Sequence, residues 1–354
     1  MKINKNFWKK KKVFITGHTG FKGTWLSLYL QDLGAKVYGY ALKPNTSLSL
    51  YKLTKKENLT KSFYGDLKNI KKLKKVIHSI KPDLVFHLAA QPIVSESYKN
   101  PTDTFKTNIN GTINIFDIIL NVKSVKAIVN VTSDKCYENL GNKKFFKESD
   151  PLGGLDPYSA SKACSEIISK SYYNSFIKKL GVGLATARAG NIIGGGDWSK
   201  DRLIPDIINS INENKKLMIR YPNATRPWQY VLDPLTGYIL LAQKLYQDPK
   251  KNSGPWNFGP HNNSIKKVNW IVSTMYKNFG VKNLSKVFNK SSPHESANLS
   301  LNSSKAKKFL GWKTKFNTND ALKLTANWYQ KFYDNIDSPY SLCISEIKLV
   351  QEKY

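Results

Sequence analysis

The chain has 354 residues, enough to bury a large core in one bilobal unit or two domains. No apolar run reaches the roughly 18 residues of a membrane span, and the lysine-rich start, Met1 to Lys12, precedes too short an apolar segment for a signal peptide or anchor. The net charge is +31, yet 52 of the 56 cationic residues are lysines scattered along the chain with no aromatic-and-basic module, which argues against a nucleic-acid partner.

Val13 to Ile15 reads as a buried parallel strand, followed by Gly17, Gly20 and Gly23 at a spacing of three. Glycine there permits a sharp turn, close approach of backbone to a pyrophosphate and tight packing of the next helix. The amphipathic run behind it (Trp25, Leu26, Leu28, Leu30) supplies that helix, whose free N–H groups and dipole suit phosphate. Three spaced glycines alone are weak evidence; between a strand and a helix they read as a dinucleotide site. Gly34 stops the helix, and Lys36 to Leu42 forms a second strand. Ser62 to Asp66 is a third, Asp83 to Ala90 a fourth, Val125 to Thr132 a fifth and Gly183 to Arg188 a sixth. Helices over Asn69 to Ile80 and Asn108 to Asn121 lie between them. Such alternation predicts an α/β fold with a doubly wound parallel sheet over residues 1–190. Beyond Asn191 the alternation fades. Gly194 to Trp198 reads as a flexible loop and Pro255 to Gly259 as a return strand near 255–260, while 191–354 forms mainly a smaller C-terminal substrate lobe.

Two motifs carry chemistry. Tyr158 and Lys162 stand four apart, on one helix face. A nearby cation and a positively charged nicotinamide would favour the phenolate of a tyrosine that is otherwise a poor base at neutral pH. Ser133, Asp134 and Lys135 follow the fifth strand, at the end of the sheet where open α/β folds bind ligands. Hydride transfer alone requires neither an acid nor a base beside that serine; an aspartate with a lysine implies further proton transfers, as in removing water. The four arginines, Arg188, Arg202, Arg220 and Arg226, cluster in one stretch of a lysine-dominated chain, which suggests a task for planar forks such as binding phosphate. Cys136, Cys164 and Cys343 show neither metal-ligand spacing nor even pairing, so no metal is expected and a reducing cytoplasm fits.

With these motifs in place the chain resembles the extended short-chain dehydrogenase/reductase family, of Rossmann type, and within it the CDP-glucose 4,6-dehydratases. The likeness spans about 1–340 and rests on Thr16 to Gly23 (with His18 and Lys22), His87 to Gln91, Ser133-Asp134-Lys135, Asn191 to Trp198, and Arg226 to Asp233. The resemblance implies NAD as cofactor, held by Gly17, Thr19, Gly20, Phe21, Lys22, Gly23, Asp66, Leu67, Ala89, Ala90 and Gln91, with Tyr158 and Lys162 at its nicotinamide end. It implies a nucleotide-sugar substrate, CDP-glucose, bound through Arg226, Arg202 and Asn191; Arg188, before the substrate loop, reads as structural, and Trp198 or Trp228 either stacks on the pyrimidine or packs the lobe. In the reaction so implied, Tyr158 takes the proton of the 4-hydroxyl as hydride leaves carbon 4. Lys135 then handles the proton at carbon 5, Asp134 protonates the departing 6-hydroxyl, and hydride returns to carbon 6. A homodimer through the Tyr158 helix is also implied. Two positions depart from the pattern. Ala41, Leu42 and Lys43 stand where an acid usually holds the adenosine ribose, although a self-regenerating cycle still favours NAD over NADP; Ser95 and Glu96 stand where relatives often carry arginine.

Competing readings are a dehydratase acting on dTDP-glucose or GDP-mannose, a nucleotide-sugar 4-epimerase, and a non-catalytic NAD-binding regulator. The Asp134–Lys135 pair speaks against the epimerase, and retention of Ser133, Tyr158 and Lys162 against the regulator.

Overall fold

A computed structural model describes residues 3–141, 145–219, 221–260, 264–281, 286–288 and 299–354. Arg220 lies outside the described residues. The main sheet is built from β1 (Lys12–Thr16), β2 (Lys36–Ala41), β3 (Lys61–Tyr64), β4 (Leu84–His87), β5 (Ala127–Val131), β6 (Gly183–Ala189) and, after a long excursion, β9 (Gly254–Phe258). These seven strands are all parallel, in the order β9-β6-β5-β4-β1-β2-β3. Every residue of β5 and β6 is buried, as befits central strands covered on both faces. Strand order reverses between β1 and β4, opening the crevice in which such sheets take ligands.

Helices cover both faces. The helix α1 (Phe21–Asp32) lies on one side with α6 (Leu232–Gln247) and α9 (Pro339–Lys353), sharing a core that includes Trp25, Leu28, Tyr238 and Ile347. On the other side α2 (Ile70–Ile80) and α3 (Gly111–Ile119) bury Leu73, Ile77, Ile115 and Phe116 against Phe14 and Val85. Asn69 caps α2 through its side chain, which accepts from Lys72 N. The helix expected from Asn108 begins earlier: Pro101 opens a helical turn over Pro101–Phe105, and a π-turn over Lys106–Asn110 joins it to α3. Proline at a first helical position and one extra residue per turn are both invisible to a 3.6-residue pattern.

A second, small sheet stands over the C-terminal ends of the strands. The chain passes from β6 through Gly190 into β7 (Asn191–Ile193), which pairs in parallel with β8 (Thr225–Tyr230); β10 (Ile265–Lys267) adds antiparallel to β8. The segment Gly194 to Trp198 is not the flexible loop expected. It is buried between α1 and α8 (Thr318–Tyr333): Trp25 donates its indole N–H to Gly195 O at 3.0 Å, and a Cβ on Gly195 would lie 2.1 Å from the Trp328 ring. Its glycines answer a lack of space, which composition alone cannot distinguish from flexibility.

Candidate active site

The glycine turn is shaped for close approach. Gly17 has φ +76°, and a Cβ there would meet Ala89 N at 2.8 Å; at Gly23 it would meet Gly17 O at 2.1 Å. Helix α1 starts from Gly20 with no side-chain cap, leaving first-turn N–H groups for an anion. These features fit a dinucleotide pyrophosphate. Thr19 donates its hydroxyl to Leu42 O at 2.9 Å, tying the turn to the end of β2. There Leu42 is 61% exposed, and Lys43 stacks its ammonium 5.9 Å from the Tyr64 ring. Asp66 accepts from Lys68 N at 2.8 Å, whereas Leu67 is core, pressed against Gly111.

On the β4 side, buried His87 bonds Thr16 Oγ1 through Nδ1 at 2.7 Å, and that hydroxyl also receives the N–H groups of Leu88 and Ala89, both at 3.2 Å. Burial pulls the His87 imidazole down to about 3, so it stays neutral and structural. Ala89 and Ala90 therefore sit on a braced turn. Gln91 turns its amide to its own loop, donating to Ile93 O at 3.1 Å and to Thr104 Oγ1 at 2.9 Å.

The reaction end combines β5 and helix α4 (Pro157–Ser175). Past β5, Ser133 Oγ donates to Asp134 Oδ1 at 3.1 Å, accepts from Lys135 N at 3.2 Å, and bonds Tyr158. Burial raises the Asp134 carboxyl to about 6, against the opposing pull of Lys135, Ser133 and Arg226. An acid near neutrality is thus held beside the serine. Burial pushes the Tyr158 phenol up to about 12, while Ser133 and Arg202 pull the other way. Lys162 donates Nζ to Val131 O at 3.3 Å, and burial lowers it to about 8. Burial outweighs pair chemistry here because desolvation penalises either charged form. Lys22, at the second position of α1, joins this group and is pulled down to about 7 by burial, Arg202 and Lys162.

A buried network positions α4 from behind. Glu166, two turns beyond Tyr158, pairs with Arg188 at 2.7 Å and accepts from Thr132 at 2.5 Å and Thr186 at 2.7 Å. Arg188 continues to Tyr137 OH at 2.7 Å, which donates to Asn257 at 2.7 Å. Arg188 is therefore a buttress linking α4, β6 and β9, in keeping with the structural role expected of it.

A cleft of about 320 Å³ runs from this end outward. Ser133, Asp134, Lys135, Tyr158, Phe21 and Lys22 line it together with Asn191, Arg202 and Arg226. Arg226 is buried on β8 and donates to Thr225 O at 2.9 Å; Arg202 pairs with Asp197 at 3.1 Å. Of the two tryptophans left open by sequence, Trp228 lines the cleft, whereas Trp198 packs among Trp328, Tyr329 and Phe332. Ser95 also lines the cleft and donates to Asp201 at 2.9 Å. Sequence reasoning missed further lining residues, including Asp206, Met218, Tyr221, Ala224 and Val268. Asp206 alone carried a signal, being four residues beyond Arg202 at a helix start. Among the described residues, no cluster of His, Cys, Asp and Glu is arranged to hold a metal ion.

Residues 14–325 match the family model described as GDP-mannose 4,6 dehydratase. The chain is 46% identical over 333 residues to a CDP-glucose 4,6-dehydratase of Salmonella typhimurium, covering 93% of each. It is 25% identical to a UDP-glucose 4-epimerase of Mycoplasma genitalium over 92% of this chain and 98% of that one. Among solved structures, a dTDP-glucose 4,6-dehydratase of Bacillus anthracis in complex with NAD superposes with a TM-score of 0.78 at 22% identity, covering 92% of this chain and 98% of that one.

Proposed function

The chain belongs to the GDP-mannose 4,6-dehydratase family, and from that premise we propose that it converts CDP-glucose to CDP-4-keto-6-deoxyglucose with NAD as its resident cofactor. The observation that carries this reading is the Ser133-Asp134-Lys135 triplet beside Tyr158, with a carboxyl whose acidity has been shifted to about 6. An epimerase has no use for such an acid; an elimination does. Support for the base comes from the 46% identical Salmonella typhimurium relative.

NAD bound at the glycine turn supplies a reversible hydride acceptor. Gly17, Gly20 and Gly23 leave room for its pyrophosphate, and the braced Ala89–Ala90 turn forms one wall of its site. Lys162 stands beside Tyr158 on α4, and Tyr158, bonded to Ser133, takes the proton from the 4-hydroxyl of the sugar. A phenol with so high a pKa yields a strong base once a positive charge nearby favours the phenolate. The ketone so formed acidifies carbon 5, whose proton passes to Lys135. Protonated Asp134 gives its proton to the 6-hydroxyl, which leaves as water; return of the hydride to carbon 6 and of the proton from Lys135 to carbon 5 completes the 4-keto-6-deoxy sugar. Arg226 and Arg202 hold the diphosphate, with Asn191 at the start of β7.

The same reading makes the protein a cytoplasmic homodimer. Its three cysteines are free, and among the described residues no helix is long and apolar enough to cross a membrane. The deciding experiment incubates the protein with CDP-glucose and catalytic NAD, then follows the alkali-induced absorbance of a 4-keto-6-deoxy sugar and loss of water by mass spectrometry. Product from CDP-glucose, with little from dTDP-glucose or GDP-mannose, is expected. Product from another nucleotide-sugar alone would overturn the substrate.

A further inference from the structure

The cleft extends beyond its arginines. Arg226 lies close enough to Asp134 to lower its carboxyl, and from there β8 runs back to Ala224. Ala224 O accepts the N–H of Val268 at 3.0 Å, and these two residues line the cleft together with Pro205, Asp206 and Met218. With the sugar at Tyr158 and the diphosphate at Arg226 and Arg202, the base of a nucleotide-sugar falls at this outer end.

Its chemistry is selective. Met218 is 53% exposed, an apolar side chain on a cleft wall, where it can cover one face of a planar ring. Asp206 occupies the first turn of α5 (Leu203–Asn212), half-buried and on the cleft wall. A carboxylate accepts hydrogen bonds and donates none. It has acceptor sites for more than one partner, so a contact within the protein and one with a ligand are compatible. Cytosine presents an amine at carbon 4, whereas uracil and thymine present a carbonyl oxygen that a carboxylate repels.

We infer that Asp206 selects the base, accepting a hydrogen bond from the exocyclic 4-amino group of cytosine while Met218 packs on the ring. This rests on the nucleotide-sugar reading above and adds to it a specificity-determining residue remote from the reacting atoms. A charge-assisted bond of this kind corresponds to roughly a 10- to 100-fold preference.

The test compares wild type with Asp206→Asn, whose amide can donate to a carbonyl at carbon 4. Binding of CDP and UDP by calorimetry, without turnover, should show the CDP preference falling about 10-fold or more in the variant. The ratio of kcat/KM for CDP-glucose over UDP-glucose should fall in step. A second measurement needs no variant: wild type should bind the pyrimidin-2-one analogue of CDP, which lacks the amine, about as weakly as the variant binds CDP. Equal wild-type affinity for CDP and that analogue, or an unchanged CDP-to-UDP ratio in Asp206→Asn, overturns the inference. A base preference that switches in binding while no sugar is turned over would leave Asp206 in its role and instead remove the dehydratase reading.

Discussion

The two ends of the cleft are built on different principles. At the inner end each reactive side chain projects from the end of a fully buried strand or from α4, and hydrogen bonds to Glu166, Thr132 and Val131 O brace that surround. At the outer end the walls come from a helical first turn, the short strand Leu217–Ile219 and the start of β8, and Met218 stands half in solvent. Proton transfer demands fixed geometry and shifted acidity, both of which follow from burial. Recognition of a base tolerates a more open wall, because its energy comes from complementary contacts made on binding.

If that division is right, changes at the two ends separate in kinetics. Tyr158→Phe removes the phenol that takes the 4-hydroxyl proton, and kcat should fall by about 10³-fold or more, with CDP affinity by calorimetry unchanged. A matching loss of CDP binding would break the separation. Arg226→Lys keeps the charge but loses the planar fork; KM for the nucleotide-sugar should rise about 10- to 100-fold with a smaller effect on kcat. A fall confined to kcat would place Arg226 with the inner end.

The acidity of Asp134 sharpens the contrast. Its carboxyl is raised to about 6, and elimination uses the protonated form. Above about pH 6 that form declines about tenfold per unit, so single-turnover loss of water should slow with rising pH, and Asp134→Asn should abolish this limb along with most of the rate. A pH-independent elimination step in the wild type would show that another group supplies the proton.

The smallest effect lies away from both ends. Glu346 on α9 is buried beneath β8, hydrogen-bonded by Tyr230 OH, and burial raises it to about 8. The folded chain then holds this proton where the unfolded chain has lost it, so the contribution to stability is full below about pH 4.5 and declines as pH rises through about 8. Glu346→Gln should flatten the fall of Tm between pH 5 and 8 while leaving kcat in place. An unchanged slope would assign that dependence elsewhere.

Local pattern was enough for the strands of the main sheet and for the glycine turn, because each is set by periodicity or by neighbours a few residues away. The early start of the helix before Gly111 was not legible, since a π-turn breaks the period on which the reading depends. Gly194 to Gly196 misled for a related reason: glycine marks either freedom or a lack of room, and only Trp328, more than a hundred residues away, tells which.

By itself, then, the sequence determined the doubly wound class, the dinucleotide turn and the residue types available for proton transfer. Tertiary structure decided which way the acidities run. Tyr158 is high and Lys162 low because both are buried, and Asp134 is near 6 because burial outweighs its cationic neighbours. It also decided that Arg188 braces while Arg226 faces the cleft, and that Trp228 lines it while Trp198 does not. Desolvation and line of sight are properties of what surrounds a side chain, and those surroundings are assembled from segments far apart in the chain.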